Sequence, residues 1–388
     1  MGNYFLAIDQ GTTSTRTVLY DSNFTALDQN QIEITQYYPR PGYVEHDAQE
    51  IWDKTFSTVS SLLEKNGLEA SQIISIGITN QRETIVGWDQ KTGKPIGKAI
   101  VWQDKRTTNY CKTLQNQGIE KEVIEKTGLL LDPYFSASKL RWLNDNFKEE
   151  IVNKNILYGT IDTFLLWKLT EGAVYATDVS NAARTSLLNI STLDWDQDLI
   201  KLFELEKINL PEIKKNADDF GSTTLFGGNI KISGMAGDQQ AALFGQTCFE
   251  AGDIKSTYGT GCFLILNTGN QILRSQNKLL TTIGYKIDQE VVYALEGSIF
   301  IAGALIQWLR DKMKFFLSAP ESEVLAKTAN ENSELIIVPS FTGLGAPFWN
   351  PDIKGSIHGI SLDTTQQDII LASLEAIAFQ SKDLIEAI

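Results

Sequence analysis

Asp9, Gly11, Thr12, Thr13, Ser14 and Arg16 fall within the single stretch "DQGTTSTR", with apolar residues on either side. Gly11 permits a tight turn, after which the backbone N–H groups and hydroxyls of Thr12, Thr13 and Ser14 can converge on phosphate oxygens. Asp9 can hold Mg2+ directly or through water, and Arg16 can balance negative charge as it develops. The same residues serve as well in a plain hairpin turn. A P-loop is excluded, because its Gly-Lys-Ser/Thr ending occurs nowhere in the chain.

Four further stretches carry residue types suited to a hydroxylated substrate. In "GITNQRETIVGW" (77–88), Arg82 and Glu83 place a donor beside an acceptor just past an apolar run. Vicinal hydroxyls need such a pair, although surface ion pairs look the same in sequence. "IVWQDKRT" (100–107) contributes Trp102, and "LLLDPYFSASKLRWLNDN" (129–146) contributes Tyr134 next to Pro133. An aromatic wall of this kind suits polyol and sugar sites, although Trp102 alone suits a core better than a ligand contact. In "IKISGMAGDQQAALFGQ" (230–246), Gly234 and Gly237 leave room for a ligand, and Asp238 opens a helix. A helix N-terminus favours the ionised carboxylate, as a base accepting a hydroxyl proton requires. An ordinary N-cap aspartate has the same sequence signature.

The elements that must position these residues are readable from periodicity. The first 35 residues predict three strands in an antiparallel meander, with short connections. A helix is predicted at about 47–65, with Asp47 and Glu50 as a capping box. Ile51, Trp52, Phe56, Val59, Leu62 and Leu63 share its apolar face, and Gly67 ends it. "IISIGIT" (73–79) is a continuous β-branched run, expected in a strand covered on both faces. A second stretch repeats the grammar: strand, Gly-Thr-Gly turn and strand in 252–269, two more strands, then a predicted helix over 299–316. Internal duplication into two similar domains, with a boundary near 246–252, follows from this pattern. Helical spacing returns at 364–388.

Bulk composition excludes several function classes. A chain of 388 residues exceeds one ordinary core, so two domains are expected. The net charge of -14 disfavours nonspecific attraction to nucleic acid or anionic membrane. Any anion must therefore be held locally. Three widely spaced cysteines offer no disulfide framework and suit a reducing cytoplasm. Two histidines exclude a histidine metal cluster, and no apolar run approaches the ~18 residues of a membrane span.

Taken together, these stretches resemble the FGGY carbohydrate kinase family. The likeness runs from Tyr4 to the last residue, through "DQGTTSTR", "PGYVEHDAQEIW", "GITNQRET", "TGKPIGKAIVWQ", "GTIDTFLLWKLT", "AGDQQAALFGQ", "STYGTGCFLILNTG" and "FTGLGAPFW". Signature regions stand at 134–146 and 355–375. The resemblance implies an α/β fold, the duplicated actin-like, ribonuclease-H-like architecture, with ATP and polyol meeting between domains 1–248 and 249–388. It implies ATP-dependent phosphorylation of glycerol to sn-glycerol 3-phosphate, with Mg2+.

By position, the resemblance makes Arg82, Glu83, Tyr134, Asp238 and Gln239 the residues that hold the glycerol hydroxyls. Trp102 and Phe263 would face its carbon side, and Asp238 would be the base. Thr12, Thr13, Ser14, Arg16, Thr260, Gly303 and Gln307 would contact the phosphates of ATP, and Asp9 would serve Mg2+. A cytoplasmic homodimer or homotetramer is the expected state. The family's adenosine-enclosing Asp-Gly-Gly segment does not occur here, so the second domain is expected to be truncated. Alternative readings are a polyol-binding chain impaired in catalysis and a kinase of another small polyol. Segment 220–234 contains neither a bisphosphate-binding arginine loop nor a phosphorylatable histidine, the two known control devices of the family.

Overall fold

Strands Tyr4–Gln10 (β1), Ser14–Tyr20 (β2) and Ala26–Glu33 (β3), each antiparallel to the next, bury side chains largely on one face. The computed structural model describes residues 3–152, 154–350 and 352–388. The chain divides into two compact units, Met1–Phe244 with Thr282–Tyr293, and Gly245–Thr281 with Ala294–Ile388.

In the first unit, the short strand Glu45–His46 (β4) leads into helix Ala48–Lys65 (α1). Asp47 caps α1 by accepting from the amides of Gln49 and Glu50. The predicted capping box is only half formed. Glu50 turns away and accepts instead from Thr35 N (3.1 Å) and Thr35 Oγ1 (2.9 Å). The carboxylate thereby ties the first helical turn to the end of the meander. Ile51, Val59, Leu62 and Leu63 are buried as expected, whereas Phe56 lies at the margin of that face and stacks on Phe226 with ring centroids 5.4 Å apart.

Ile73–Asn80 (β5) runs parallel to β1 on one side and to Ile230–Gly237 on the other. The six-stranded order is Ser222–Thr223, Ile230–Gly237, β5, β1, β2, β3. Ile76 and Ile78 of β5 share a core with Leu6, Ile8, Val59, Leu62 and Met235; exposed Ile74 is the exception to the two-sided burial predicted for this run. In register, Gln10 lies beside Asn80, and Asn80 beside Gly237. The segments leaving these three parallel strands therefore start side by side, where open α/β sheets bind ligands. A second sheet joins β4, Ile85–Asp89 (β6), Ala99–Ile100 (β7) and Ile156–Thr160 (β8) in the order β4-β7-β6-β8.

In the second unit, Ile254–Tyr258 and Cys262–Gly269 form the predicted hairpin across the Gly-Thr-Gly turn. Its sheet is not a simple meander. Strand Glu290–Ile299, whose Ala294–Ile299 portion belongs to this unit, follows Cys262–Gly269 in the sheet order. The helix predicted over 299–316 is confined to Gly303–Asp311. Ile299 still belongs to the strand, and Lys314 adopts φ 59°, which no right-handed helix tolerates. The last helix, Gln366–Ala387, has a full capping box between Thr365 and Asp368 and buries Ile370 and Leu384 completely. Among the described residues no helix is long and apolar enough to cross a membrane.

Candidate active site

The C-terminal ends of β1, β5 and Ile230–Gly237 deliver, in order, the Gly11–Ser14 turn, the Gln81–Glu83 segment and Asp238. Past β5 the backbone turns sharply: the Thr84 amide donates to the Arg82 carbonyl (2.7 Å), and Glu83 takes φ 61°. A left-handed conformation is costly for a glutamate. Here Ser136 Oγ donates to the Glu83 carbonyl at 3.1 Å and supports it. The turn throws Arg82 and Glu83 to different partners.

Arg82 is the hub. Its Nε lies 3.3 Å from Asp238 Oδ1, Nη1 donates to Gln240 Oε1 at 3.3 Å, and Nη2 donates to the Tyr134 hydroxyl at 3.4 Å. Glu83 Oε1 lies 3.9 Å from Arg82 Nε and accepts from Arg184 Nε at 2.6 Å. Arg82 and Glu83 are each about 2% exposed, whereas the Asp238 side chain is 37% exposed. Asp238 is thus a carboxylate open to solvent, held from behind by a buried cation. It is the first residue of helix Asp238–Gly245, and its Oδ1 also accepts from the Gln239 amide at 2.7 Å. Gln239 itself is buried. Gly237 leaves the space that the Arg82 side chain fills, since a Cβ there would sit 2.7 Å from Arg82 Cδ. Its amide donates to Ser180 Oγ at 3.0 Å, which pins the strand end that delivers Asp238.

Trp102 and Tyr134 meet edge to face with ring centroids 5.7 Å apart, and the Trp102 indole N–H donates to Thr12 Oγ1 at 2.9 Å. The aromatic wall is therefore joined to the Gly11–Ser14 turn. Within that turn the Gly11 amide donates to the Ser14 carbonyl (2.9 Å), Ser14 Oγ accepts from Gln31, and Thr13 faces solvent. Arg16 Nη2 donates to Asp9 Oδ2 at 2.6 Å in a partly exposed ion pair. The sequence reading treated these two side chains separately; the antiparallel register of β1 and β2 places them opposite one another.

Phe263, Thr260, Gly303 and Gln307 belong to the second unit. The amide of Gly303 donates to the Gly259 carbonyl (2.9 Å), and those of Ala302 and Ala304 to the Thr260 carbonyl (2.9 and 3.1 Å). The N-terminus of helix Gly303–Asp311 is thus seated on the Gly-Thr-Gly turn. A Cβ on Gly303 would lie 2.5 Å from the Gly259 oxygen, so only glycine allows the approach. Gln307 is exposed on that helix, and Phe263 is half-buried opposite Thr257.

Three contributors escaped the sequence reading. Arg184 is fully buried, with its guanidinium 5.3 Å from the Phe135 ring and 5.7 Å from the Tyr134 ring. Gln240, within "AGDQQAALFGQ", accepts from Arg82 Nη1. Lys139, also fully buried, donates to the carbonyls of Pro133, Tyr134 and Phe135 and so fixes the loop carrying Tyr134. Burial pushes its ammonium down to about 8. A charged residue amid small and apolar neighbours, as in "NAARTS", was the available signal. Among the described residues, no group of three or more His, Cys, Asp or Glu converges on a metal position.

A parallel-centred sheet whose strand ends present a cation-braced carboxylate, an aromatic wall and a hydroxyl-rich turn suits a sugar or polyol kinase. Consistent with this, the N-terminal domain of the FGGY family of carbohydrate kinases matches residues 4–245, and its C-terminal domain matches residues 254–388. The chain belongs to this family, and its fold is the family's two-domain α/β fold. Within the family it is similar to glycerol kinases. It is 53% identical to the glycerol kinase of Rhizobium rhizogenes over all of this chain and 79% of that protein. It is 49% identical to that of Lactobacillus acidophilus over 99% of this chain and 78% of that protein. The crystal structure of Plasmodium falciparum glycerol kinase with ADP superimposes with a TM-score of 0.87 at 37% identity, covering 100% of this chain and 78% of that one. A ligand-bound xylulose kinase from Lactobacillus acidophilus shares the fold, with a TM-score of 0.84 at 24% identity over 99% and 77% of the two chains.

Proposed function

We propose that this kinase transfers the γ-phosphoryl group of ATP to a terminal hydroxyl of glycerol, giving sn-glycerol 3-phosphate and ADP. The observation that carries the reading is the Arg82–Asp238 contact: a half-open carboxylate braced by a buried guanidinium, with Glu83 and Tyr134 at hand. Arg82 supplies donors and Glu83 and Asp238 acceptors for neighbouring hydroxyls, and the Trp102–Tyr134 wall suits a short carbon chain. Identity near 50% to glycerol kinases, against 24% to a xylulose kinase, supports glycerol over a longer polyol.

In this reading Arg82, Glu83, Tyr134 and Gln239 orient the hydroxyls, with Trp102 and Phe263 against the carbons. Asp238 aligns the attacking hydroxyl and accepts its proton as the new O–P bond forms and the bond from γ-phosphorus to the β-phosphate oxygen breaks. Phosphoryl transfer rests chiefly on positioning and charge neutralisation, so a carboxylate suffices as base. Thr12, Thr13, Ser14 and Arg16 contact the phosphates, as do Thr260, Gly303 and Gln307. The Gly259–Gly303 contact seats the helix N-terminus on the Gly-Thr-Gly turn that carries Thr260.

Asp9 fits Mg2+: a single partly exposed carboxylate, with substrate phosphates and water completing the shell, is how Mg2+ is commonly bound. When bound, the ion supplies charge neutralisation at the transferring group. All three cysteines are free and buried, which supports a reducing, cytoplasmic setting.

The test is ATP-dependent transfer to glycerol, dihydroxyacetone and erythritol in parallel. Glycerol is expected to give the highest kcat/KM. No transfer to any of the three would overturn the kinase reading, and a preference for erythritol would overturn the substrate.

A further inference from the structure

His46 lies in the stretch "PGYVEHDAQEIW", to which the catalytic reading gives no part. Its imidazole is completely buried, and each ring nitrogen meets a glutamine. Nε2 lies 2.8 Å from Gln36 Oε1, and Nδ1 lies 3.3 Å from Gln81 Nε2. Each glutamine then grips one carbonyl of the Gly11–Ser14 turn. Gln36 Nε2 donates to the Thr12 carbonyl at 2.8 Å, and Gln81 Nε2 donates to the Gly11 carbonyl at 3.2 Å.

Fixed backbone donors and acceptors determine every proton in this relay. The Trp102 amide can only donate, and it does so to Thr84 Oγ1 at 3.1 Å. Thr84 therefore gives its own proton to Gln81 Oε1 at 3.0 Å. That leaves Gln81 Nε2 facing both Gly11 O and His46 Nδ1, so Nδ1 is the acceptor and the ring proton sits on Nε2. Nε2–H donates to Gln36 Oε1, which turns Gln36 Nε2 toward Thr12 O. A protonated imidazole would set an N–H against the Gln81 amide donor. Consistently, burial pushes the His46 pKa down to about 4.

We infer that His46 is the positioning residue of the Gly11–Ser14 turn. One neutral tautomer orients two glutamines, these fix the Gly11 and Thr12 carbonyls, and the carbonyls fix the direction of the amides that follow. The inference rests on the reading that this turn contacts the phosphates of ATP. It adds a named determinant of nucleotide affinity that itself touches neither substrate.

Three variants of the full chain separate the two ends of the relay. His46→Asn keeps an acceptor in place of Nδ1, His46→Gln keeps a donor in place of Nε2, and His46→Leu keeps neither. Hydrogen exchange at residues 11–15 is followed without nucleotide, alongside KM for ATP and for glycerol. Faster exchange is expected in all three. The ATP KM should rise roughly three- to tenfold in the single-ended variants, as for one lost hydrogen bond, and further in His46→Leu, with the glycerol KM held within about twofold. If His46→Leu does not fold, the Asn and Gln variants still decide the matter. Exchange unchanged from wild type, or both KM values rising in step with a falling Tm, would overturn the inference. Faster exchange with an unchanged ATP KM would instead overturn the phosphate-contact reading.

Discussion

Arg82 Nε stands 3.3 Å from Asp238 Oδ1, and the two residues are delivered by neighbouring parallel strands that end in register. The cation is sealed from solvent and the carboxylate is not. Asp238 is therefore anchored on one side and open to a substrate hydroxyl on the other. It stands at the start of helix Asp238–Gly245.

Asp238→Asn retains size and the contact with Arg82 while removing the proton acceptor. Glycerol binding should survive, with kcat reduced by on the order of 10²–10⁴-fold or more. Calorimetric binding and steady-state turnover check the two halves separately; near-native kcat would exclude Asp238 as base.

Arg184→Met takes the 2.6 Å partner from a buried Glu83 carboxylate. Breaking a buried pair of this kind costs about 3–5 kcal/mol. A lower midpoint in denaturant and a raised glycerol KM should appear together. Arg184→Lys should recover only part of both, because an ammonium lacks the planar fork and its stacking on Tyr134 and Phe135.

Gly237→Ala puts a methyl group 2.7 Å from Arg82 Cδ and 2.8 Å from Arg82 Cγ. The Arg82 side chain must shift away from Asp238 and Tyr134. Glycerol kcat/KM is expected to fall by about tenfold, with the ATP KM nearly unchanged, as read by initial rates at varied substrate.

Gly303→Ala acts in the second unit. Its Cβ meets the Gly259 carbonyl, a backbone atom that cannot rotate away. The overpacking should cost about 1–3 kcal/mol and lift the helix N-terminus off the Gly-Thr-Gly turn. ADP affinity, measured by calorimetry, should fall by roughly tenfold while glycerol affinity holds.

His46 predicts a pH dependence of stability. In the unfolded chain its imidazole takes up a proton near pH 6.5; folded, burial delays this to about 4, against a smaller opposing pull from Glu50. Between those values the unfolded state carries more protons. Stability present above pH 6.5 is therefore lost as pH falls toward 4, by on the order of 3 kcal/mol. Urea unfolding at the two ends of this window should show the loss in wild type and a flatter response in His46→Asn.

Much of this was legible in the sequence because its determinants are local. The three-strand meander of residues 4–33, the apolar face and Asp47 cap of α1, the β-branched run of β5 and the helical spacing of 364–388 each depend on neighbours a few positions away. Arg82, Glu83, Tyr134 and Asp238 stood out because their motifs are long and sit at element ends. Local rules also misled where a distant partner intervened. Glu50 fits a capping box, yet Thr35 claims it. The apolar run 299–316 has helical spacing, yet its first residue completes a strand.

The sequence by itself thus determined which elements form and which residue types carry the chemistry, since both follow from short-range periodicity and motif. Only the tertiary structure decided which of those residues touch. Arg184 reaches Glu83 across 101 positions, and His46 reaches the Gly11–Ser14 turn through Gln36 and Gln81. Such pairings are set by strand order and register, and these emerge only when the whole sheet buries its core at once.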